Sequence, residues 1–193
     1  MKDWTNYQNE TYGDDVCKLL IEFLDNYKID NAIDLGCGSG NETVYMVKNG
    51  IKVLAIDRQL NQDFILNRLS DSEKQLISFK ESSFEDVELP KTKLLTAFFS
   101  IPFCNPNNFD ELWIKIYNSI EDNGYFVGQL FGDRDAWNVV ESINTFSIDK
   151  VKEYLKNYNI IKLEEIEYVG ESDNKKWHFY DIIAQKKVGD KHE

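Results

Sequence analysis

Apolar side chains recur at intervals of three and four residues over residues 14–28, with Val16, Leu19, Phe23 and Tyr27 among them. This spacing puts them on one face of a helix, so the segment is predicted to be an amphipathic helix that packs on a core. Weaker patterns and local capping signals predict four more helices, at residues 41–50, 61–72, 108–120 and 147–158.

Short apolar runs separate these helices. They predict seven strands, at residues 31–36, 51–57, 74–80, 94–100, 124–132, 159–169 and 176–187. Strand and helix alternate until the last two strands, which a six-residue loop joins as an antiparallel hairpin. This order predicts an α/β fold: a Rossmann-like, doubly wound, mostly parallel seven-stranded sheet with a C-terminal antiparallel hairpin and helices on both faces.

A glycine-rich turn, "DLGCGSGN", joins the first predicted strand to a helix. Glycines permit positive φ and a close approach of the backbone to a ligand, and the helix that follows presents free N–H groups. Dinucleotide-binding turns follow the pattern G-x-G-x-x-G, which would require a glycine at position 41, where this chain has Asn41. The spacing Asp34-x-Gly36-x-Gly38-x-Gly40 therefore disfavours a nicotinamide-dependent oxidoreductase.

An acidic residue ends the second predicted strand. Asp57 lies 19 residues after Gly38, and a carboxylate there can accept hydrogen bonds from both ribose hydroxyls of an adenosine ligand. A dinucleotide enzyme would also carry an acid at this place, and a carboxylate can instead cap the next helix. Asp57 thus indicates an adenosine ligand, and the glycine spacing decides its class.

The glycine turn resembles motif I of the class I S-adenosylmethionine-dependent methyltransferases. The segments "FEDVELPKTKLLTAFFSIPFCNP" and "GYFVGQLFGDRDAW" are similar to a small bacterial subgroup related to the tellurite-resistance-type methyltransferases. The ending "KKWHFYDIIAQKK" also resembles the last strand of that subgroup. The resemblance covers nearly the whole chain, and it implies S-adenosyl-L-methionine as the cofactor.

The resemblance also assigns cofactor contacts. The methionine end is expected at the glycine turn and after the fourth strand, the ribose after the second strand, and the adenine after the third. These contacts are Asp34, Gly36, Cys37, Gly38, Gly40, Asp57, Arg58, Ser83, Phe84, Phe99 and Ser100. Ser83 stands where many relatives have an acid facing the adenine amine, and Phe84 is either a ring-stacking residue or a core aromatic.

The methyl acceptor is expected above the fourth and fifth strands, near Phe103, Gln129, Arg134, Trp137 and Trp177. Arg134 either clamps an acidic acceptor or pairs with a neighbouring aspartate, and Trp137 either walls the pocket or covers the sheet edge. His178 is the candidate catalytic residue, as a general base, although a lone histidine on a strand is more often structural. Strand alternation turns only one of Trp177 and His178 inward.

The composition restricts the partners. The chain has 22 basic and 34 acidic residues, a net charge of −12 and a pI of about 4.7, which argues against nucleic acid and anionic membranes. No apolar run is long enough to span a membrane, and the polar stretch "MKDWTNYQNE" lacks the apolar core of a signal peptide, so a cytoplasmic location is expected. Three unpaired cysteines and two histidines predict neither a disulfide framework nor a metal site.

We therefore expect a methyltransferase domain at residues 14–187, with an N-terminal arm or lid at 1–13 and a flexible tail at 188–193. The expected reaction transfers a methyl group to a small-molecule acceptor by in-line displacement, in a monomer or homodimer. The principal alternative is a protein of the same fold that binds the cofactor without turning it over, as a sensor or partner subunit.

Overall fold

One seven-stranded sheet runs through residues 4–170 and 174–189, the part of the chain that the computed structural model describes. The strands are β1 (Asn31–Leu35), β2 (Lys52–Asp57), β3 (Ile77–Glu81), β4 (Thr92–Ala97), β5 (Ile120–Phe131), β6 (Tyr158–Val169) and β7 (Lys176–Lys186). The helices are α1 (Thr5–Glu10), α2 (Lys18–Asn26), α3 (Asn41–Lys48), α4 (Gln62–Leu66), α5 (Phe109–Ser119) and α6 (Ile148–Tyr154).

The strand order is β3-β2-β1-β4-β5-β7-β6. Neighbouring strands from β3 to β5 pair in parallel, whereas β7 is antiparallel to both β5 and β6. The predicted doubly wound sheet and its C-terminal hairpin are thus confirmed. The order reverses between β1 and β4, and in such sheets ligands bind in the crevice at the carboxyl ends of the strands around that point.

Two apolar layers cover the sheet. On one side Leu20 and Phe23 of α2 pack with Val47 of α3, and on the other Leu112 and Ile116 of α5 belong to a second cluster. Each of these side chains is almost fully buried, so both faces contribute to the core. The sheet therefore lies between two packed layers, and the glycine turn leaves β1 at its edge.

The predicted N-terminal arm contains a helix. The segment that forms α1 is polar and lacks helical apolar spacing, so tertiary contacts rather than local pattern stabilise it. Conversely, the helix predicted at 14–28 begins at Lys18, because Cys17 has non-helical backbone angles. Residues 190–193 of the predicted tail and 171–173 of the hairpin loop lie outside the described residues, and the division into arm, domain and tail stays a prediction.

The described residues contain neither a membrane-spanning helix nor a metal-binding cluster. Within residues 4–170 and 174–189, no helix is both long and apolar enough to cross a bilayer. The same part of the chain contains no group of three or more histidine, cysteine, aspartate or glutamate side chains that is arranged to hold a metal ion.

Candidate functional site

The glycine turn has left-handed backbone angles at three alternate residues. Gly36, Gly38 and Gly40 have φ values of +81°, +54° and +79°, which side-chain-bearing residues rarely adopt. A Cβ at Gly36 would lie 2.3 Å from the Cβ of Ser100, so the turn packs directly on the end of β4. A Cβ at Gly38 would meet nothing within 4 Å, because this residue borders open space.

Asp57 is hydrogen-bonded to the same turn. Its Oδ2 accepts the backbone N–H of Gly38 at 2.9 Å, and its Oδ1 accepts the N–H of Gln59 at 3.0 Å. Each carboxylate oxygen can accept further bonds. The carboxylate is therefore oriented beside the turn and can receive two hydroxyl groups from a ligand.

A cavity of about 850 Å³ opens at this end of the sheet. Most of the site residues predicted from sequence line it. They are Asp34, Gly36, Cys37, Gly38, Asp57, Arg58, Phe84, Phe99, Ser100, Phe103, Gln129 and Trp137. Residues distant in sequence thus meet around one space, large enough for a nucleoside-sized ligand.

Five predicted site residues do not line this cavity: Gly40, Ser83, Arg134, Trp177 and His178. A Cβ at Gly40 would lie 2.3 Å from the side chain of Ile65, so this glycine allows helix packing. The Ser83 hydroxyl donates to Asp86 at 2.8 Å, and in this loop the serine that lines the cavity is its neighbour Ser82.

Arg134 is held by acidic residues of the terminal hairpin. Its guanidinium lies 2.6 Å from Glu165 and 2.9 Å from Glu167, and more distantly, at 3.9 Å, from Asp133. The pairing alternative for Arg134 therefore has structural support, although its main partners come from β6 rather than from its neighbours in sequence. Trp177 packs behind the cavity wall, with its ring centroid 5.7 Å from that of Phe99.

His178 is fully buried against the turn after β5. Its Nδ1 accepts the backbone N–H of Arg134 at 3.0 Å, and its Nε2 lies 2.9 Å from Glu165. Since a donor faces Nδ1, the proton of the neutral ring is on Nε2 and is donated to Glu165. The imidazole thus joins the β5 turn to β6 and does not face the cavity.

Asp34 is a buried carboxyl group at the end of β1. It accepts hydrogen bonds from the Thr43 hydroxyl at 2.5 Å and the Thr96 hydroxyl at 3.0 Å. Burial raises the pKa of Asp34 to about 7, and the nearby charge of Glu42 adds to this shift. Burial also raises the pKa of Glu42, which accepts the backbone N–H of Cys17 at 3.1 Å. Two acids with raised pKa values therefore border the cavity at the glycine turn, and Asp34 is partly protonated near neutral pH.

The N-terminal segment covers the cavity and is tied to the turns beneath it. Gln8 Nε2 donates to the carbonyl of Gln59 at 2.7 Å, and the N–H of Trp4 donates to the Gln59 side chain at 2.8 Å. Asn41 Nδ2 donates to the carbonyl of Thr11 at 2.8 Å. Asn41 occupies the position where a dinucleotide turn would have glycine. Because it carries a side chain there, it can form the hydrogen bond that holds the N-terminal segment over the turn.

Aromatic rings form another part of the wall. Phe103 makes edge contacts with Trp4, at 4.9 Å between ring centroids, and with Trp137 at 6.1 Å. Phe99 has a φ of +45°, a strained value for a residue with a side chain, and its ring stacks on Phe131 at 5.5 Å. The strain turns the Phe99 ring onto the wall beside the end of β4.

None of the three thiols is activated. Burial raises the pKa of Cys17 to about 11 and that of Cys104 to about 12. It also raises the pKa of Cys37 well above its ordinary value. A thiol attacks as the thiolate, so these groups are packing residues at neutral pH.

Several lining residues were not among the predicted site residues. Four of them, Trp4, Tyr7, Gln8 and Thr11, belong to the N-terminal segment that was predicted only as an arm or lid. The others are Asp14, Asp15, Cys17, Ser39, Asn41, Glu42, Ser82, Glu85, Phe98, Val140, Ser142 and Ile143. Arg68 was also missed; it donates to the carbonyl of Ser39 and the side chain of Asn41, and thereby supports the turn.

The family model described as "Tellurite resistance protein TehB" matches residues 5–177, which is most of the chain. The chain belongs to the TehB family. Its curated relatives include the carboxy-S-adenosyl-L-methionine synthase of Helicobacter pylori (strain G27), which is 27% identical over 146 residues, or 70% of this chain and 59% of that protein. The synthase of the same name from Nautilia profundicola is 26% identical over 116 residues, or 56% and 48% of the two chains. This TehB-family chain thus spans about half the length of these relatives.

Solved structures share the fold of this TehB-family chain. TehB from Haemophilus influenzae superposes with a TM-score of 0.78 at 19% identity, over 96% of this chain and 68% of that one. The 1,6-didemethyltoxoflavin-N1-methyltransferase of Burkholderia thailandensis gives a TM-score of 0.68 at 14% identity, over 97% and 92%. At such identities the likeness shows a methyltransferase fold, and the reaction has to be argued from the site.

Proposed function

We propose that this TehB-family chain is a methyltransferase that uses S-adenosyl-L-methionine and a small-molecule acceptor. The observation that carries the proposal is the joint geometry of Gly38 and Asp57, an open backbone turn hydrogen-bonded to an oriented carboxylate inside one cavity. The solved Burkholderia enzyme is described with bound S-adenosylhomocysteine, and so is NodS from Bradyrhizobium japonicum, which has the same fold at 13% identity.

The residues around the cavity fit this cofactor. Gly38 leaves space against the backbone that a side chain would fill. Asp57 would accept the ribose hydroxyls, while Ser82 and Phe84 border the side where the adenine is expected. The acid pair of Asp34 and Glu42 would face the methionine ammonium, since buried carboxyl groups are stabilised in their charged form by a cation.

The cofactor supplies a methyl group on a positively charged sulfur. Transfer breaks the sulfur–carbon bond as the acceptor's lone pair forms a new bond to carbon, and the sulfur leaves as a neutral thioether. The chain's own contribution is alignment and exclusion of water. Phe99, Phe103 and Trp137 exclude water on the wall side, and the segment from Trp4 to Thr11 covers the cavity.

The test is turnover with isotopically labelled S-adenosylmethionine and a panel of amines, phenols, thiols and metalloid oxyanions. We expect S-adenosylhomocysteine to form only when an acceptor is present, together with an acceptor heavier by one methyl group. Tight cofactor binding without turnover on any acceptor would contradict the enzyme proposal and support a sensor. Formation of a sulfonium carrying an added carboxylate would instead favour the activity named for the Helicobacter relative.

His178 is left out of the proposed reaction, and its replacement supplies a prediction. His178→Leu is expected to lower the free energy of unfolding by about 2–3 kcal/mol, since Arg134 N–H and Glu165 each lose a partner at a buried ring. Denaturant unfolding measures this change. His178→Asn, which retains an acceptor for the Arg134 N–H, is expected to lose less.

Cofactor affinity serves as the second readout for His178→Leu. Because the ring does not line the cavity, we expect the affinity for S-adenosylmethionine to stay within about twofold of the parent. If turnover disappears while stability and cofactor affinity are unchanged, His178 takes part in the chemistry and the structural interpretation is wrong.

A further inference from the structure

Gln129 lies near the end of β5 and lines the cavity. The sheet register places Asp34 of β1 beside Thr96 of β4, and Thr96 beside Val127 of β5. Gln129 is two residues farther along β5. Because neighbouring strands are about 4.8 Å apart, Gln129 is displaced from Asp34 by roughly 10 Å across the sheet. It therefore lies outside the part of the cavity where we place the methionine ammonium of the cofactor.

The side chain of Gln129 is on the same face of the sheet as Val127, because alternate residues of a strand point the same way. Val127 belongs to the apolar layer that contains α2. Phe98 and Gln129 directly follow the paired residues Ala97 and Gly128, and Phe98 packs against that same layer. Both residues line the cavity. A ligand beside the Gln129 amide would thus also meet an aromatic ring.

One end of the Gln129 amide is held by Asp181, its partner on β7. Gln129 is only 4% exposed, and its Nε2 donates to Asp181 Oδ1 at 2.7 Å. A carboxylate accepts hydrogen bonds and does not donate them, so this bond keeps the N–H end of the amide on the β7 side. Asp181 therefore determines that the amide oxygen, Oε1, points away from β7.

The oxygen of this amide lacks a donor. Within residues 4–170 and 174–189, no group donates a hydrogen bond to Oε1, and the oxygen is buried. A buried hydrogen-bond acceptor without a donor destabilises a protein, and such groups are uncommon in folded proteins. Because Gln129 lines the cavity, a ligand that carries an N–H or O–H group can supply the missing hydrogen bond.

We propose that Gln129 determines the specificity of the acceptor site, and that its Oε1 accepts a hydrogen bond from an N–H or O–H group of the methyl acceptor. The compounds that fit are primary and secondary amines, alcohols, phenols and protonated oxyanions. Ethers and tertiary amines, which lack such a hydrogen, bind less tightly. This inference rests on the proposed methyltransferase function and narrows its substrate class.

The hydrogen bond would orient the methyl acceptor for transfer. The lone pair of its nitrogen or oxygen forms a bond to the methyl carbon, and the bonding pair of the broken sulfur–carbon bond stays on sulfur. The methylated nitrogen or oxygen then releases its proton to water. Gln129 stays neutral throughout, so it directs the lone pair and does not act as a base.

The test uses two pairs of aromatic probes that differ in whether they carry a donor: phenol with anisole, and aniline with N,N-dimethylaniline. Each probe is titrated into the full chain saturated with S-adenosylhomocysteine, and binding is followed by ligand-detected NMR. We expect phenol and aniline to bind roughly tenfold more tightly than their methylated partners, because the latter leave Oε1 unpaired.

Gln129→Met replaces the amide with an apolar side chain of similar length. We expect the preference for phenol and aniline to fall to within about twofold, while the affinity for S-adenosylhomocysteine stays within about twofold of the parent. The matched control is Gln185→Met. Gln185 is another glutamine of β7, it donates to the Tyr125 hydroxyl at 3.0 Å, and it does not line the cavity. This control should keep the parent's preference.

A second variant is used if Gln129→Met does not fold, because that substitution leaves the Asp181 carboxylate without its donor. Combining Gln129→Met with Asp181→Leu removes both partners of the bond, a change that proteins tolerate better than the loss of one partner. The double variant is expected to fold, to bind S-adenosylhomocysteine and to show the same loss of preference between the paired probes.

The titration with S-adenosylhomocysteine separates this inference from the proposed function. If the parent does not bind S-adenosylhomocysteine, the proposed function fails and the inference falls with it. If the parent binds it, three results would overturn the role of Gln129 alone: no binding of phenol and aniline, equal or tighter binding of the methylated probes, or a preference that persists in Gln129→Met. Loss of S-adenosylhomocysteine binding in a folded Gln129→Met protein would place Gln129 in the cofactor site and also overturn the inference.

Discussion

Replacing Asp57 with alanine is expected to weaken the binding of S-adenosylmethionine by at least about 100-fold. The carboxylate would accept two ribose hydroxyls in charge-assisted hydrogen bonds, and each such bond contributes roughly 1.5–3 kcal/mol. The variant also loses the bonds from the Gly38 and Gln59 N–H groups that orient the turn. Calorimetric titration of both proteins with the cofactor measures the effect.

The matched control for this loss is Asp71→Ala. Asp71 is also an acid, but it is exposed and pairs only loosely with Lys74, at 3.4 Å. Its replacement removes the same formal charge from the chain and should leave affinity unchanged within about twofold. Circular dichroism shows whether the Asp57 variant keeps its fold. If the folded Asp57→Ala protein binds the cofactor as tightly as the parent, Asp57 does not bind the ribose and the proposed ribose site is wrong.

The affinity for S-adenosylmethionine is expected to fall about tenfold between pH 8 and pH 6. Burial raises the pKa of Asp34 to about 7, and the cofactor's ammonium and sulfonium charges favour the ionised carboxylate. Binding below pH 7 must first remove a proton, and this requirement weakens the affinity by up to tenfold per pH unit. Titrations in buffers of different ionisation enthalpy measure the protons released.

Asp34→Asn is expected to make the affinity weak and nearly independent of pH between 6 and 8. It should also stabilise the ligand-free protein. The folded-state pKa of Asp34 lies above the ordinary value of 3.8, so folding is penalised progressively as the pH rises from about 4 to about 7. The variant removes a penalty of up to about 4 kcal/mol at pH 8. Thermal unfolding at pH 5 and pH 8 tests this, and a variant less stable than the parent at pH 8 would contradict it.

Glu42 has to be separated from Asp34 in this experiment, because its pKa is also raised by burial and the two charges interact. Glu42→Gln provides the comparison. If the pH dependence disappears in Glu42→Gln and persists in Asp34→Asn, the titrating group has been assigned to the wrong carboxyl.

The alternation of strands and helices, the glycine turn and the acid at the end of β2 could be predicted from sequence because each depends on local spacing. Gly36, Gly38 and Asp57 are fixed by the strands they follow, and parallel strands bring their carboxyl ends to one edge. The hairpin was predictable for the same reason, since two alternating runs flank one short polar loop.

The rest of the site depends on contacts between distant segments. Helix α1 has no apolar periodicity that would predict it. It is held in place by contacts with distant residues, such as the hydrogen bond from Gln8 to Gln59, which is 51 residues away. Arg134 finds its acidic partners 31 and 33 residues away on β6, which no local pattern indicates. Ser82 rather than Ser83 lines the cavity. In a loop that follows a strand, the sequence does not fix which of two adjacent side chains points toward the cavity.

The most direct test of the account is a parallel titration of the purified chain with S-adenosylmethionine, S-adenosylhomocysteine and NAD. The glycine spacing, Asn41 and Asp57 together predict micromolar binding of both adenosyl ligands and no binding of NAD. Binding of NAD alone, or of none of the three, would contradict the proposed cofactor site and the methyltransferase function built on it.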